Sequence, residues 1–454
     1  MFAQQQATVY AKDSTVYAQG ILKDGKKEGP WTFYNKEGKK IESGEFVNDK
    51  RDGTWITFYS NGEIESKVVY DKGTITEYTG YSSQGDKLIE GEFESGKKSG
   101  IWITYYQNGE EFKKTTFQAG QKNGVEKIYG EYGTLREEVY YKNDSLHGPW
   151  KLYNPVGNVI EEGQYEMGKK TGIWKAYYDY GQLYSIGKYT ADKPDSTWLE
   201  YYESGQLLSE KSYDEGIPQG VWKIYYDNGT LDEKIPYENG WIDGNYIKNF
   251  SNGKPAIRGK YEHGVKSGHW KYFNEEGYLV EEGDYNNGKQ HGQWFYYYND
   301  GKLKSVGSFI NGLEDGQWGL FHTTGLLMQE EEWQMGKLWN ISPYITIYGD
   351  TLDPGSLKNG DGLKIDYYRT GDLQVKCEFQ NGVPHGSWKY YYDDGQVAEK
   401  GAFELGLKTG EWVFYHPNGK VAASGTYEKG QKTSTWNYFY PNGALKESVN
   451  HSEE

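Results

Sequence analysis

Cysteine is nearly absent from this chain: Cys377 is the one thiol in 454 residues, which excludes an intrachain disulfide and any multi-thiolate metal site. Long apolar runs are missing too, and no stretch approaches the roughly 18 consecutive apolar residues of a membrane-spanning helix. Basic charge is short, with 50 Lys+Arg against 66 Asp+Glu and a formal net charge of -16, which argues against a nucleic-acid-binding surface. Proline is scarce at 12 residues, and no glycine recurs strictly at every third position, so collagen is excluded. Aliphatic side chains are also few. Hydrophobic residues make up 35% and mean hydropathy is -0.92, values that by themselves place a chain near the disordered class.

The aromatic content reverses that last reading. Tyr 45, Trp 16 and Phe 16 each supply a ring able to bury roughly 150–250 Å², so the apolar surface of this chain resides in rings rather than in Leu, Ile and Val, and the chain is expected to fold.

The tryptophans are periodic. From Trp102 to Trp318 is 216 residues, nine times 24, and Trp150, Trp174, Trp198, Trp222, Trp270 and Trp294 fall on that grid. Trp31, Trp55, Trp388, Trp412 and Trp436 mark further copies, while Tyr78, Glu126, Tyr246 and Lys364 stand at the marker position of degenerate ones. Trp318 and Lys364 are 46 residues apart, two short of two periods, with Ser342 marking a poorly matching copy between them. The count is 18 repeats, preceded by a partial copy.

Each copy reads as a β-hairpin. Asn228-Gly229, Asn108-Gly109, Asn61-Gly62 and Asn418-Gly419 recur at one place in the repeat, and Asn-Gly predicts a type I′ turn with positive φ at both residues. A second turn, such as Asn287-Gly288-Lys289, leads into a glycine two residues before the next tryptophan. A two-residue turn at Asn228-Gly229 sets Tyr226 opposite Leu231 and Trp222 opposite Ile235, a position that is glycine at Gly163, Gly187, Gly283, Gly307, Gly401 and Gly425. An indole is therefore expected to lie on the glycine directly across from it. The fold class is all-β, an elongated antiparallel meander of about 18 tandem 24-residue hairpins. At two strands per copy its contour would be on the order of 170 Å.

The pattern Tyr-x-x-Gly-Lys-x-x-Gly-x-Trp-x-x-Tyr-Tyr-x-x-Gly-x-Leu, seen in Tyr165 to Leu183 and Tyr285 to Leu303, resembles the bacterial variant of the MORN repeat found in antitoxin-like proteins. The resemblance covers nearly the whole chain and implies hairpin arrays used as interaction scaffolds. The copies around Glu126, Tyr246 and Ser342 depart from it. A weaker likeness is to the choline-binding cell-wall repeats, but here the tyrosine pair sits three residues beyond the tryptophan and the period is longer than about twenty residues.

No catalytic motif is present, and neither an enzyme activity nor a cofactor nor a metal is expected. His147, His291 and His385 occur once per repeat before the pre-tryptophan glycine and read as solvated turn residues. Glu161-Glu162 and Glu281-Glu282 recur with the repeat and read as solubilising strand residues. By strand alternation Tyr105, Tyr129, Tyr153, Tyr177, Tyr201 and Tyr225 point away from the tryptophan face. Either the sheet curls or stacks and buries both rows, or part of this row is a platform for a partner. Trp339, Tyr344 and Tyr348 complete the candidate contact residues, in the irregular segment 334–362, where a bend or protruding loop is expected.

These readings divide the chain into residues 1–6, a disordered N-terminus or signal remnant; 7–333, a first array; 334–362, the irregular segment; and 363–454, a second array. Met1-Phe2-Ala3-Gln4 looks like the tail of an export signal, so a periplasmic or cell-surface location is expected, with the cytoplasm left open. The expected partners are other proteins, an outer-membrane or envelope complex among them, with no nucleic acid and no direct membrane span. Glycan or cell-wall binding by the aromatic rows is the competing reading.

Overall fold

The computed structural model describes residues 4–12 and 14–451, and no helix occurs among them. Residues 1–3, which carry most of the export-signal reading, lie outside the described residues, whereas Gln5–Tyr10 is already a strand. The chain divides into two units, Met1–Gln219 and Gly220–Glu454. In each, antiparallel strands follow one another in chain order as a meander, and consecutive strands pair. Among the described residues each strand packs chiefly on its neighbours in sequence, and the irregular segment adds longer-range bonds, Leu338 N–H to the Gly382 carbonyl and Ile347 N–H to the Arg369 carbonyl.

The two turns of the hairpin exchange the roles expected of them. After Asn228 only Gly229 has positive φ, 81°. Tyr226 N–H donates to the Thr230 carbonyl at 2.8 Å and Gly229 N–H to the Tyr226 carbonyl at 2.9 Å. That is a three-residue loop, a type I turn closed by a left-handed glycine. The register therefore shifts, and Tyr225, not Tyr226, faces Leu231. The asparagine serves as a cap: Asn228 Oδ1 accepts the Thr230 N–H at 2.9 Å and its amide reaches the Ser251 carbonyl of the next repeat at 2.8 Å. The type I′ geometry belongs to the other turn, where Asn287 and Gly288 have φ of 49° and 78° and Asn286 pairs with Lys289.

The freed tyrosine ties repeats together. Tyr178, Tyr298 and Tyr392, each four residues after its tryptophan, donate from the hydroxyl to the carbonyls of Tyr201, Phe321 and Tyr415 in the following copies, at 2.7–2.8 Å. His322 and His416 do the same from Nε2. We expect Tyr392→Phe to cost about 1 kcal/mol, read by native-state hydrogen exchange as lost protection in Leu407–Tyr415, while strands several repeats away keep theirs.

Ten of the 13 marker tryptophans lie on the glycine eleven residues before them, on the preceding strand, and not on the residue paired across the hairpin. Trp150 pairs with Gly163, yet the ring resting on Gly163 is Trp174. The cause is a bulge: Gly172 adopts φ 67°, the ladder skips from Glu162–Lys175 to Gln164–Thr171, and the indole swings back over the earlier strand. Its Nε1 donates to the Gln164 carbonyl at 3.3 Å. The same bond joins Trp294 to Asp284 and Trp412 to Ala402. Those two rings are 0% exposed. Tyr285 and Phe309 stand edge-on to Trp294, and lysines four residues before the tryptophans lie over the indoles, Lys170 and Lys408 at 3.8 Å from the ring centres. The core is thus a line of rings roofed by neighbouring rings and lysine stems.

Where position minus eleven has a side chain, the indole cannot lie flat. Val139 and Cys377 fill that site themselves at 4% and 1% exposure, leaving Trp150 and Trp388 half-buried and donating to Glu137 and Glu399. In the copy marked by Glu126 a polar set takes over: Glu126 accepts from Thr115 Oγ1 at 2.6 Å and pairs with Lys122 at 2.7 Å.

In the second unit the ladder running from Gly220–Tyr225 stops at Lys337–Ile341, and an eight-stranded sheet begins at Gly362–Tyr367. Between them Tyr344–Ile345 pairs only with Thr351–Leu352. The segment does not protrude: Leu338, Tyr344, Thr346 and Leu357 are 1–5% exposed. It also keeps more of the repeat than its sequence implies. Thr346 N–H bonds the Asp350 carbonyl and Gly349 N–H the Thr346 carbonyl, as in a regular first turn. Asn359 and Gly360 have the positive φ pair of the second. Gly360 and Gly362 are separated by one residue where Gly240 and Gly244 are separated by three, which locates the two lost residues.

Candidate functional site

The third residue after each marker alternates away from the tryptophan face, because the bulge at Gly172 precedes the tryptophan, the strand is regular from there on, and the extra residue beside the first turn lies on the partner strand. Tyr105, Tyr129, Tyr153, Tyr177 and Tyr201 occupy this row in the first unit and Tyr225 in the second. All six are half-buried, and each faces the residue that follows the first turn, as in Tyr177 with Leu183.

The row is bound into a charged surface. The Tyr105 hydroxyl donates to Glu90, and that of Tyr177 to Glu162 Oε1 at 2.7 Å, in each case to a carboxylate fifteen residues earlier on the neighbouring strand. Lys87 lies over the Tyr105 ring at 5.2 Å and Lys114 over Tyr129 at 5.8 Å, while Lys151 and Lys175 flank Glu162 at 3.6 and 3.8 Å. Burial and the bond to Glu162 push the Tyr177 phenol up to about 12, and the phenol in turn holds Glu162 below the ordinary carboxylate value against the opposing effect of burial. Burial likewise raises Tyr153, with Glu138 adding to it. In Tyr105 hydroxyl and ring face are both engaged by neighbours, in Tyr129 the ring face and in Tyr177 the hydroxyl.

This sets a pH dependence. A carboxylate whose pKa is lower folded than unfolded contributes stability above its unfolded value and loses it as pH falls through the folded value. A phenol raised by folding contributes below about pH 10 and loses it as pH rises through about 12. We expect Tyr177→Phe to move the Glu162 titration, followed by carboxyl NMR, upward toward the ordinary range. An unmoved titration would refute the coupling.

Of the residues predicted in the irregular segment, Trp339 is half-buried and its carbonyl accepts the Gly360 N–H at 2.8 Å. Tyr344 is core at 3% exposure, packed against His322 and Tyr367, so it cannot touch a partner. Its burial corrects the expectation that Pro343 and its neighbours form a loop. Tyr348, at 72%, is exposed. The structure also shows surface residues outside the sequence expectations, Tyr132 and Tyr180 at the turn tips, 92% and 86% exposed; their signal was a ring at a position that, apart from Val156 and Tyr348, is elsewhere held by Asn, Asp, Glu, Gln, Ser or Thr. Among the described residues no three His, Cys, Asp or Glu are placed to hold a metal ion, and no helix is long and apolar enough to cross a membrane.

Hairpins repeated at a fixed interval, each packed on the one before, define a tandem-repeat protein. Residues 51–72, 146–167, 194–215, 218–239, 290–311, 384–404 and 408–429 match the MORN repeat variant model, and the chain belongs to the MORN-repeat family. No curated protein matches it. Solved structures with some similarity include a TcdB2-TccC3-Cdc42 crystal structure, at 11% identity and TM-score 0.15 over 100% of this chain and 29% of that one. A TcdB2-TccC3-TEV structure follows, at 11% and 0.14 over 96% and 25%. A Photorhabdus luminescens Tc holotoxin pore matches at 10% and 0.13 over 97% and 31%. This chain spans only about a quarter to a third of those chains, and at such TM-scores the likeness carries no assignment of role.

Proposed function

We propose that the protein is a non-catalytic scaffold that binds other proteins, working in a bacterial cell-envelope assembly. The observation that carries this reading is that the strands pack chiefly on their sequence neighbours, with the framework held by its own rings and inter-repeat bonds while turn-tip residues such as Tyr132 and Tyr180 stand exposed. Fold alone does not assign a role. The charged tyrosine face supports a protein partner more than a glycan, because stacking on sugars needs free ring faces, and here Lys87 and Lys114 lie over two of them. Export to that compartment is part of the proposal.

The test uses the purified full chain as bait against an envelope extract of the native host, with a glycan array run in parallel. A recovered protein is purified and titrated back by calorimetry. Saturable one-site binding that weakens at least tenfold in a Tyr105→Ala/Tyr129→Ala variant is the expected result. Saturable glycan binding with no protein partner would overturn it.

A further inference from the structure

One edge of the first unit carries residues that its own fold does not use. The sixth residue after the marker is the tip of the first turn, and in many copies it is a cap: Asn61 Oδ1 accepts the Glu63 N–H, Asn108 Oδ1 the Glu110 N–H, and both amides reach the turn of the next repeat. In three consecutive copies that residue is Tyr132, Val156 and Tyr180, exposed by 92%, 78% and 86%. Capping there passes to other residues. Asn154 Oδ1 takes the N–H groups of Val156 and Asn158, Asn108 holds the Glu131 carbonyl, and Asn154 and Asn158 together hold that of Asp179. The tips are rigidly mounted, yet their side chains stand in water.

We propose that Tyr132, Val156 and Tyr180 form a docking edge for a proline-rich, basic segment of a partner protein in polyproline II conformation, an inference that rests on the scaffold reading. Two arguments fix the occupant. The first is spacing. Adjacent tips are two strands apart, about 10 Å at 4.7–4.9 Å per strand, and a polyproline II helix advances about 9 Å per turn of three residues. One ligand residue in three therefore meets each tip, as in aromatic-lined recognition of such helices. A β-strand repeats its side chains at roughly 7 Å and falls out of step. The second is charge. Glu131, Asp179 and Glu203 are exposed on these turns and the next, and Glu110 Oε2 lies beside Gly133. Arg136, half-buried against Gly130, is the cation among them. Carboxylates between rings suit arginine or lysine side chains interspersed with proline.

The experiment titrates the full chain with two fluorescein-labelled dodecapeptides of equal charge, four repeats of Pro-Pro-Arg and four of Gly-Ser-Arg, by anisotropy at physiological salt. The proline peptide is expected to bind at least tenfold more tightly. The variant Tyr132→Asn/Val156→Asn/Tyr180→Asn, which installs the residue used at Asn108 and Asn228, is expected to lose that margin with its circular dichroism unchanged. A hydrogen-exchange footprint of the proline peptide on the unmodified chain, independent of whether the variant folds, must fall on residues 130–134, 154–158 and 178–182. Equal binding of the two peptides, a footprint elsewhere, or a margin retained by the variant each overturns the docking edge. A protein partner that binds the variant normally would leave the scaffold reading intact, whereas recovery of no protein partner would refute that reading itself.

Discussion

Gly283→Ala is expected to destabilise its neighbourhood by about 3 kcal/mol, although it adds one methyl group to a strand position whose backbone any residue can adopt. A Cβ built on Gly283 would overlap Cγ, Cδ2 and Cε2 of Trp294. The ring cannot yield cheaply: it is 0% exposed, its Nε1 donates to the Asp284 carbonyl at 3.0 Å, and Tyr285 and Tyr296 hold its edge and face. Overpacking of this kind costs about 1–3 kcal/mol, and lifting the ring forfeits a hydrogen bond worth about 1 kcal/mol more. The control is Gly292→Ala, where φ is 68° and no atom lies within 4 Å; it should cost about 1–2 kcal/mol, from the backbone alone. Native-state hydrogen exchange across Leu279–Asn286 and Lys289–Tyr297 separates the two. Equal losses would refute the claim that the indole occupies the glycine's space. The Gly283→Ala variant should also place Trp294 in a half-buried pose like that of Trp150, visible as a red-shifted fluorescence component.

Lys364→Met is expected to cost about 3–5 kcal/mol in the second unit by stranding buried carboxylates. Lys364 stands where other copies have tryptophan, its side chain 15% exposed, and it bridges Glu331 at 3.1 Å and Asp366 at 3.2 Å. Burial works against its ammonium, and the two carboxylates overcome that and hold its pKa above the ordinary lysine value. Burial raises Asp366 despite Lys364 beside it. The ion pair joins the strand Leu327–Gln334, in the sheet that ends at Ile341, to Gly362–Tyr367, which opens the next, so it links two ladders that share no strand. Cys377 reports on it directly. It pairs with Lys364 across the hairpin, is 1% exposed, and has its thiol pushed up to about 12, chiefly by burial. Its alkylation by a neutral thiol reagent should be slow in the unmodified protein and faster by at least about a hundredfold in Lys364→Met, at tenfold per 1.4 kcal/mol. Lys364→Met/Glu331→Gln should recover part of the loss, because the remaining amide is uncharged. An unchanged alkylation rate would show that the pair does not hold these sheets.

Much of the array was legible in the sequence because its signals are local. The 24-residue grid, the hairpin alternation and the Trp222–Ile235 pairing all depend on residues close together in the chain, and each is as expected. The turn types were misassigned because Asn-Gly is compatible both with a type I′ turn and with a three-residue loop ending in a left-handed glycine. Asn228 settles between them by capping Thr230 and the next repeat, and the second of those bonds needs a neighbour. A sharper signal was present but not used: glycine stands eleven residues before Trp31, Trp174, Trp294 and Trp412, and a side chain stands there before Trp150, Trp222 and Trp388.

The sequence by itself determined the all-β class, the hairpin unit, the period and the family, since these follow from side-chain spacing along one chain. Only the tertiary structure decided which ring lies on which glycine, because the bulge at Gly172 redirects the indole to a strand whose register is set by pairing. It also decided that the irregular segment folds inward. Pro343 and the two lost residues interrupt the ladder, but burying Leu338, Tyr344 and Leu357 removes more apolar surface from water than an extruded loop would, and that balance is fixed by neighbours far apart in sequence.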